Sequence, residues 1–115
     1  MKKHFRVSTA LLAAVLLAGC GSNNEKTVVF SDAGWDSVKF HNAVAGLIAE
    51  KAYGLKVETM NGSTPIMEAA LVRGDVDVNM ELWTDNVATY QADKAAGGIV
   101  DLGINFDDNK QGLYV

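Results

Sequence analysis

The chain has only two tryptophans, and each sits among carboxylates: Ser31-Asp32-Ala33-Gly34-Trp35-Asp36 and Glu81-Leu82-Trp83-Thr84-Asp85-Asn86. An indole face attracts cations through its quadrupole. A quaternary ammonium has no N–H to donate, so an aromatic face is its natural partner, contributing about 0.5–2 kcal/mol per contact. Asp32, Asp36, Glu81 or Asp85 would add negative potential. The competing reading makes each Trp a core residue sealing the sheet edge, and makes the acids helix caps and first-turn residues. Ser63-Thr64, just before Pro65, has the composition of a helix start. Capping is its ordinary task there, and holding the anionic end of a ligand is the alternative.

Other chemistry finds little support. His4 lies in the first nineteen residues, so His41 is the only imidazole beyond them, and beside Phe40 in a helical segment it reads as packed or half-exposed. No Ser–His–acid arrangement can be placed, and the single cysteine, Cys20, is better explained below than as a nucleophile. His and Cys do not cluster at metal spacing. Asp107-Asp108-Asn109 lacks the late Glu of a calcium loop and reads as a turn. Gly97-Gly98 follows a helix rather than a strand, which excludes a phosphate loop. A secreted enzyme built on Asp32, Glu81 and His41 is therefore the weakest alternative. The sequence reads as that of a binding protein without metal or cofactor.

Several elements must position these residues. Residues 27–30, Thr-Val-Val-Phe, form a β-branched and aromatic run expected as a buried strand. From Asp36 the period becomes helical, with Phe40, Val44, Leu47 and Ile48 on one face and a stop at Tyr53-Gly54. Residues 55–59 are a second strand. A helix opened by a hydroxyl cap and Pro65 runs to Gly74. Residues 76–82 alternate apolar and acidic side chains as a third strand, residues 87–96 are helical, residues 99–102 are a fourth strand, and a fifth begins at Gly112. Strands separated by helices imply an α/β fold with an open, mainly parallel sheet covered by helices on both faces. Ligands of such sheets lie beyond the carboxyl ends of the strands, where strand order reverses. In a flavodoxin-like order that point falls between the first and third strands, where both tryptophan loops begin.

The 115 residues carry a formal net charge of −4 and are 49% hydrophobic. Lys2, Lys3 and Arg6 precede the nine-residue apolar run 10–18, and Leu17-Ala18-Gly19-Cys20 closes it. A basic start, a short apolar core and small residues at its end make a secretory signal peptide over residues 1–19, and the ending resembles the bacterial lipoprotein signal. Cleavage would leave Cys20 acylated, with residues 20–26 as a tether to the membrane and an extracytoplasmic working place. A bilayer span needs about 20 apolar residues, so the run is too short for one. From Cys20 onward seven basic side chains face fourteen acidic ones, a balance that excludes nucleic acid as a partner. One cysteine excludes an internal disulfide.

Longer matches carry a family resemblance. Phe30-Ser31-Asp32-Ala33-Gly34-Trp35-Asp36-Ser37, Gly62-Ser63-Thr64-Pro65 and Arg73-Gly74-Asp75-Val76-Asp77-Val78 are three of them. Met80-Glu81-Leu82-Trp83-Thr84-Asp85-Asn86, Asn105-Phe106-Asp107-Asp108-Asn109 and Gln111-Gly112-Leu113-Tyr114-Val115 complete the set. Through them residues 28–115 resemble the glycine betaine/choline-type substrate-binding proteins of bacterial ABC importers. The resemblance implies a type II periplasmic-binding-protein fold whose two lobes close about a hinge. It also implies an aromatic box for a quaternary amine, and an ABC permease and ATPase as partners.

By position Trp35 and Trp83 are two walls of that box, with Gly34, Asp32, Glu81, Ser63 and Thr64 as further binding residues. Some members place a histidine five residues after the second Trp, where this chain has Ala88. Glu81 beside Trp83 would tilt preference toward choline over a zwitterionic betaine. Two-lobed receptors are roughly twice this length, since a lobe is a domain of order 100 residues. Residues 27–115 are thus expected to be a first lobe without its second. A truncated, non-transporting lipoprotein remnant with no ligand is the alternative function.

Overall fold

The structure, a computed structural model, describes residues 25–110 and 112–113. The expected signal peptide, the acylated Cys20 and all but the last two residues of the tether lie outside the described residues. Strand β1 (Thr27–Asp32) is the β-branched and aromatic run, and pairs in parallel with β2 (Lys56–Asn61) from Thr27↔Lys56 to Asp32↔Asn61. Helix α1 (Asp36–Tyr53) connects them, and α2 (Thr64–Arg73) leads out of β2. Gly54 and Gly74 end the two helices in the left-handed conformation, their N–H groups taking up orphan carbonyls of the last turn.

After α2 the chain returns to the free edge of β1. Phe30 and Val78 form a parallel bridge, giving the spatial order β2–β1–78. The fold is α/β, with the reversal of strand order falling between the first strand and the third segment, as a flavodoxin-like order requires.

Side-chain alternation places the two helices on opposite faces. Val57 touches Gly46 of α1, where an added Cβ would stand 3.2 Å from Val57 Cγ1. Val57 is paired with Val28, so Val28 and Val57 share the α1 face. Val29 therefore points the other way, and packs on Met67, Ala70 and Val76 of the α2 cluster.

Six expectations need correction. The α1 face against the sheet is Val38, Asn42 and Gly46, while Phe40, Val44, Leu47 and Ile48 are exposed. The reason is local. Asn42 Nδ2 donates to the buried Ser31 carbonyl at 2.7 Å, and Gly46 allows close approach, so a polar and a small residue seat the helix. The third strand shrinks to the bridge at Val78. The Val29 N–H donates to Asp77 Oδ2 at 2.8 Å, so a side chain takes the place of a ladder carbonyl, and the chain then turns away.

Residues 99–102 form no strand. Asp101 instead fastens them to α3 (Tyr90–Ala95), accepting from Tyr90 Oη at 2.8 Å and Lys94 Nζ at 2.7 Å. The last helix is shorter than residues 87–96 because Thr89, at its N-cap, spends its hydroxyl on Glu68 instead of on the helix. Ser63 occupies the N-cap of α2 with extended backbone, but its hydroxyl makes no cap bond. Gly112 and Leu113 are not in a strand, and the rest of the expected fifth strand lies outside the described residues.

Candidate functional site

The first tryptophan loop is built by a carboxylate that bonds its own backbone. Asp32 Oδ1 accepts the Gly34 N–H at 2.7 Å, an Asx turn. Gly34 stands at φ 100, where a side chain would be strained. The chain then reverses, and Trp35 becomes the extended N-cap residue of α1, with Ser37 in the first turn behind it.

The second loop leaves the sheet after Val78. Asn79 Oδ1 accepts the Glu81 N–H at 3.1 Å, and Asn105 donates its side-chain amide to the Met80 carbonyl. These bonds turn Glu81 inward, so it is buried although the period-2 pattern would have placed it outside. Its Oε1 accepts from Trp83 Nε1 at 3.0 Å and from Ser37 Oγ at 3.1 Å. One carboxylate oxygen thus joins the second loop to the start of α1, directly after the first loop. A short 3₁₀ turn (Thr84–Asn86) follows.

Glu81 Oε2 lies 3.6 Å from His41 Nδ1, beyond hydrogen-bond reach but close enough for an ion pair with an imidazolium. His41 is half-buried as expected, its ring 5.9 Å from Phe40 and 5.6 Å from Phe106 between centroids.

Between the two loops opens a cleft of ≈ 760 Å³, within the size range of small-molecule sites. Trp35, Ser37, Thr64, Pro65, Glu68, Glu81 and Trp83 line it, together with residues 86–89. Of the residues expected from sequence, Trp35, Trp83, Glu81 and Thr64 meet here. Asp32 and Gly34 shape the turn that carries Trp35 and stand outside the lining. Asp32 instead borders a shallow groove between α1 and β2. Ser63 adjoins Thr64 without reaching the lining. Chemically, the cleft offers two indoles and two carboxylates, and among the described residues no basic side chain lines it.

Residues 26–115 match the family described as the substrate-binding domain of the ABC-type glycine betaine transport system. The chain belongs to this family. No curated protein and no solved structure matches it. As a substrate-binding domain of an ABC importer it works outside the cytoplasmic membrane, taking a small molecule for a permease and ATPase, and the family consists of transport binding proteins rather than enzymes. The α/β body is part of the type II periplasmic-binding fold.

Sequence reasoning missed one residue of this cleft above all, Glu68. It is the only charged side chain between Thr64 and Leu71, inside the otherwise apolar run of α2, and is 3% exposed. A lone acid on a buried helix face was the signal that could have found it.

Proposed function

We propose that the cleft binds a quaternary ammonium compound, namely glycine betaine, choline or a relative, for osmoprotectant or nutrient uptake. The supporting observation is that Trp35 and Trp83, far apart in sequence, line one cleft, with Glu81 hydrogen-bonded to Trp83 and to the turn behind Trp35. The cation would lie against indole faces in a partly desolvated site, where such contacts are strongest. In this reading the body is the first lobe of a two-lobed receptor, and Trp35 and Trp83 are two walls of the aromatic box. Acylation of Cys20 would hold the protein at the cell membrane.

Calorimetric titration with glycine betaine and with choline tests the ligand. Saturable binding that is lost in Trp35→Ala supports it, and binding indifferent to Trp35 overturns it. Metabolic labelling with a fatty acid, expected to be absent in Cys20→Ser, tests the anchor.

A further inference from the structure

Glu68 is a buried carboxylate with half of its hydrogen-bonding capacity unused. Its Oε2 accepts from Thr89 Oγ1 at 3.0 Å, while its Oε1 is buried without a hydrogen-bond partner. A buried anion without a partner is unfavourable in the free protein and becomes favourable when something positive or hydrogen-donating reaches it. Glu68 lines the same cleft as Trp35 and Trp83. Glu81 repeats the pattern, with Oε2 also buried and without a hydrogen-bond partner. Glu81 Oε2 has His41 Nδ1 3.6 Å away, whereas among the described residues Glu68 has no such neighbour and the lining contains no Lys or Arg to hold the carboxylate of a ligand.

Two helices start on that side, α1 after Trp35 and α2 after Ser63, and the α2 N-terminus is a poor anion site here. Pro65 removes one of its N–H groups, the Met67 N–H is committed to the Ser63 carbonyl at 2.9 Å, and Glu68 sits one turn in.

We infer that Glu68 is a specificity-determining residue, and that the cleft takes a quaternary amine with net positive charge and a hydroxyl in preference to a zwitterion. This rests on the quaternary-ammonium reading above. The indoles would take the ammonium group, which any such ligand carries, and Glu68 would choose between ligands by their other end. A hydroxyl can donate to Oε1, whereas a carboxylate placed there would be repelled. Thr89 holds Glu68 in position through Oε2.

Titration of the whole chain and of Glu68→Gln with choline and with glycine betaine tests the assignment. The unmodified protein is expected to bind choline more tightly than glycine betaine. Glu68→Gln, which keeps the side-chain shape, is expected to weaken choline about tenfold while leaving glycine betaine unchanged or tighter. Equal changes for both ligands, or no change, would make Glu68 structural and overturn the inference. Should the variant not fold, the ratio in the unmodified protein decides, since tighter binding of glycine betaine contradicts the assignment. If neither ligand binds in a Trp35-dependent way, the quaternary-ammonium reading itself fails, an outcome distinct from a failed preference.

Discussion

Residues 27–78 and residues 79–110 are held together by different kinds of bond. The first region is a β–α–β–α frame. Backbone ladders join β1, β2 and Val78, two long helices end at left-handed glycines, and Met67, Ala70 and Val76 form a dry cluster. The second region has one 3₁₀ turn and a six-residue helix, and is fastened mainly by side chains. Asn105 reaches Met80, Glu81 reaches Ser37 and Trp83, Thr89 reaches Glu68, and Tyr90 and Lys94 reach Asp101. Each tryptophan stands in one of these regions. Stability is therefore expected to reside in the frame, and the shape of the cleft in the polar bonds that bring the second region onto it.

The largest effect should come from the frame. Met67→Ala removes a 2% exposed side chain from the α2 cluster and is expected to lower stability by about 2–5 kcal/mol, measured by urea unfolding. A loss under 1 kcal/mol would show that the frame is not where stability lies.

Glu81→Ala should reverse the pattern. It strands Trp83 Nε1 and the Ser37 hydroxyl, at a loss of about 1–3 kcal/mol. The near-ultraviolet circular dichroism of Trp83 should collapse while the far-ultraviolet signal of α1 and α2 persists. Loss of both signals together would mean that the regions are not separable. Asp77→Ala is expected to be milder, about 0.5–1.5 kcal/mol, because it removes one ladder substitute at the edge of β1. Amide exchange at Val29 should quicken selectively.

The smallest effect is electrostatic. Hydrogen bonds from Lys94, Gly103 and Tyr90 bring the Asp101 carboxyl down to about 2. A carboxyl depressed on folding contributes stability that is present above its unfolded value near pH ~4 and is lost as pH falls through the folded value. Acid should therefore loosen residues 99–103 between about pH 4 and 2, before the frame. Asp101→Asn should abolish that pH dependence in NMR spectra of the Gly103 amide.

The same division explains what could be read from sequence. Periodicity and punctuation depend on local steric and burial preferences, so β1, α1, β2 and α2 are legible within a residue or two, as is their parallel order. The orientation of α1 is not. Asn42 faces the sheet because Ser31 offers a buried carbonyl there, a partner eleven positions away that no hydrophobic pattern encodes. Alternation over residues 76–82 suggested a strand, and the Asp77 side chain bonding Val29 ended it after Val78.

The convergence of Trp35, Trp83 and Glu81 was legible, since strand order puts both loops at one end of the sheet. Glu68 was not found, because a helix pattern scored for apolar residues passes over the single acid on its buried face. The inward turn of Glu81 needed Asn79 and Asn105, whose side chains act across the loop and, for Asn105, across twenty-five positions.

The central claim is that Trp35 and Trp83 serve one cation site. Tetramethylammonium, which carries the quaternary nitrogen and nothing else, probes it most directly when intrinsic tryptophan fluorescence is followed during titration. A saturable change is expected in the unmodified chain, with affinity falling about tenfold or more in both Trp35→Ala and Trp83→Ala. A response that is linear in concentration, or that survives unchanged in either variant, would contradict a shared site.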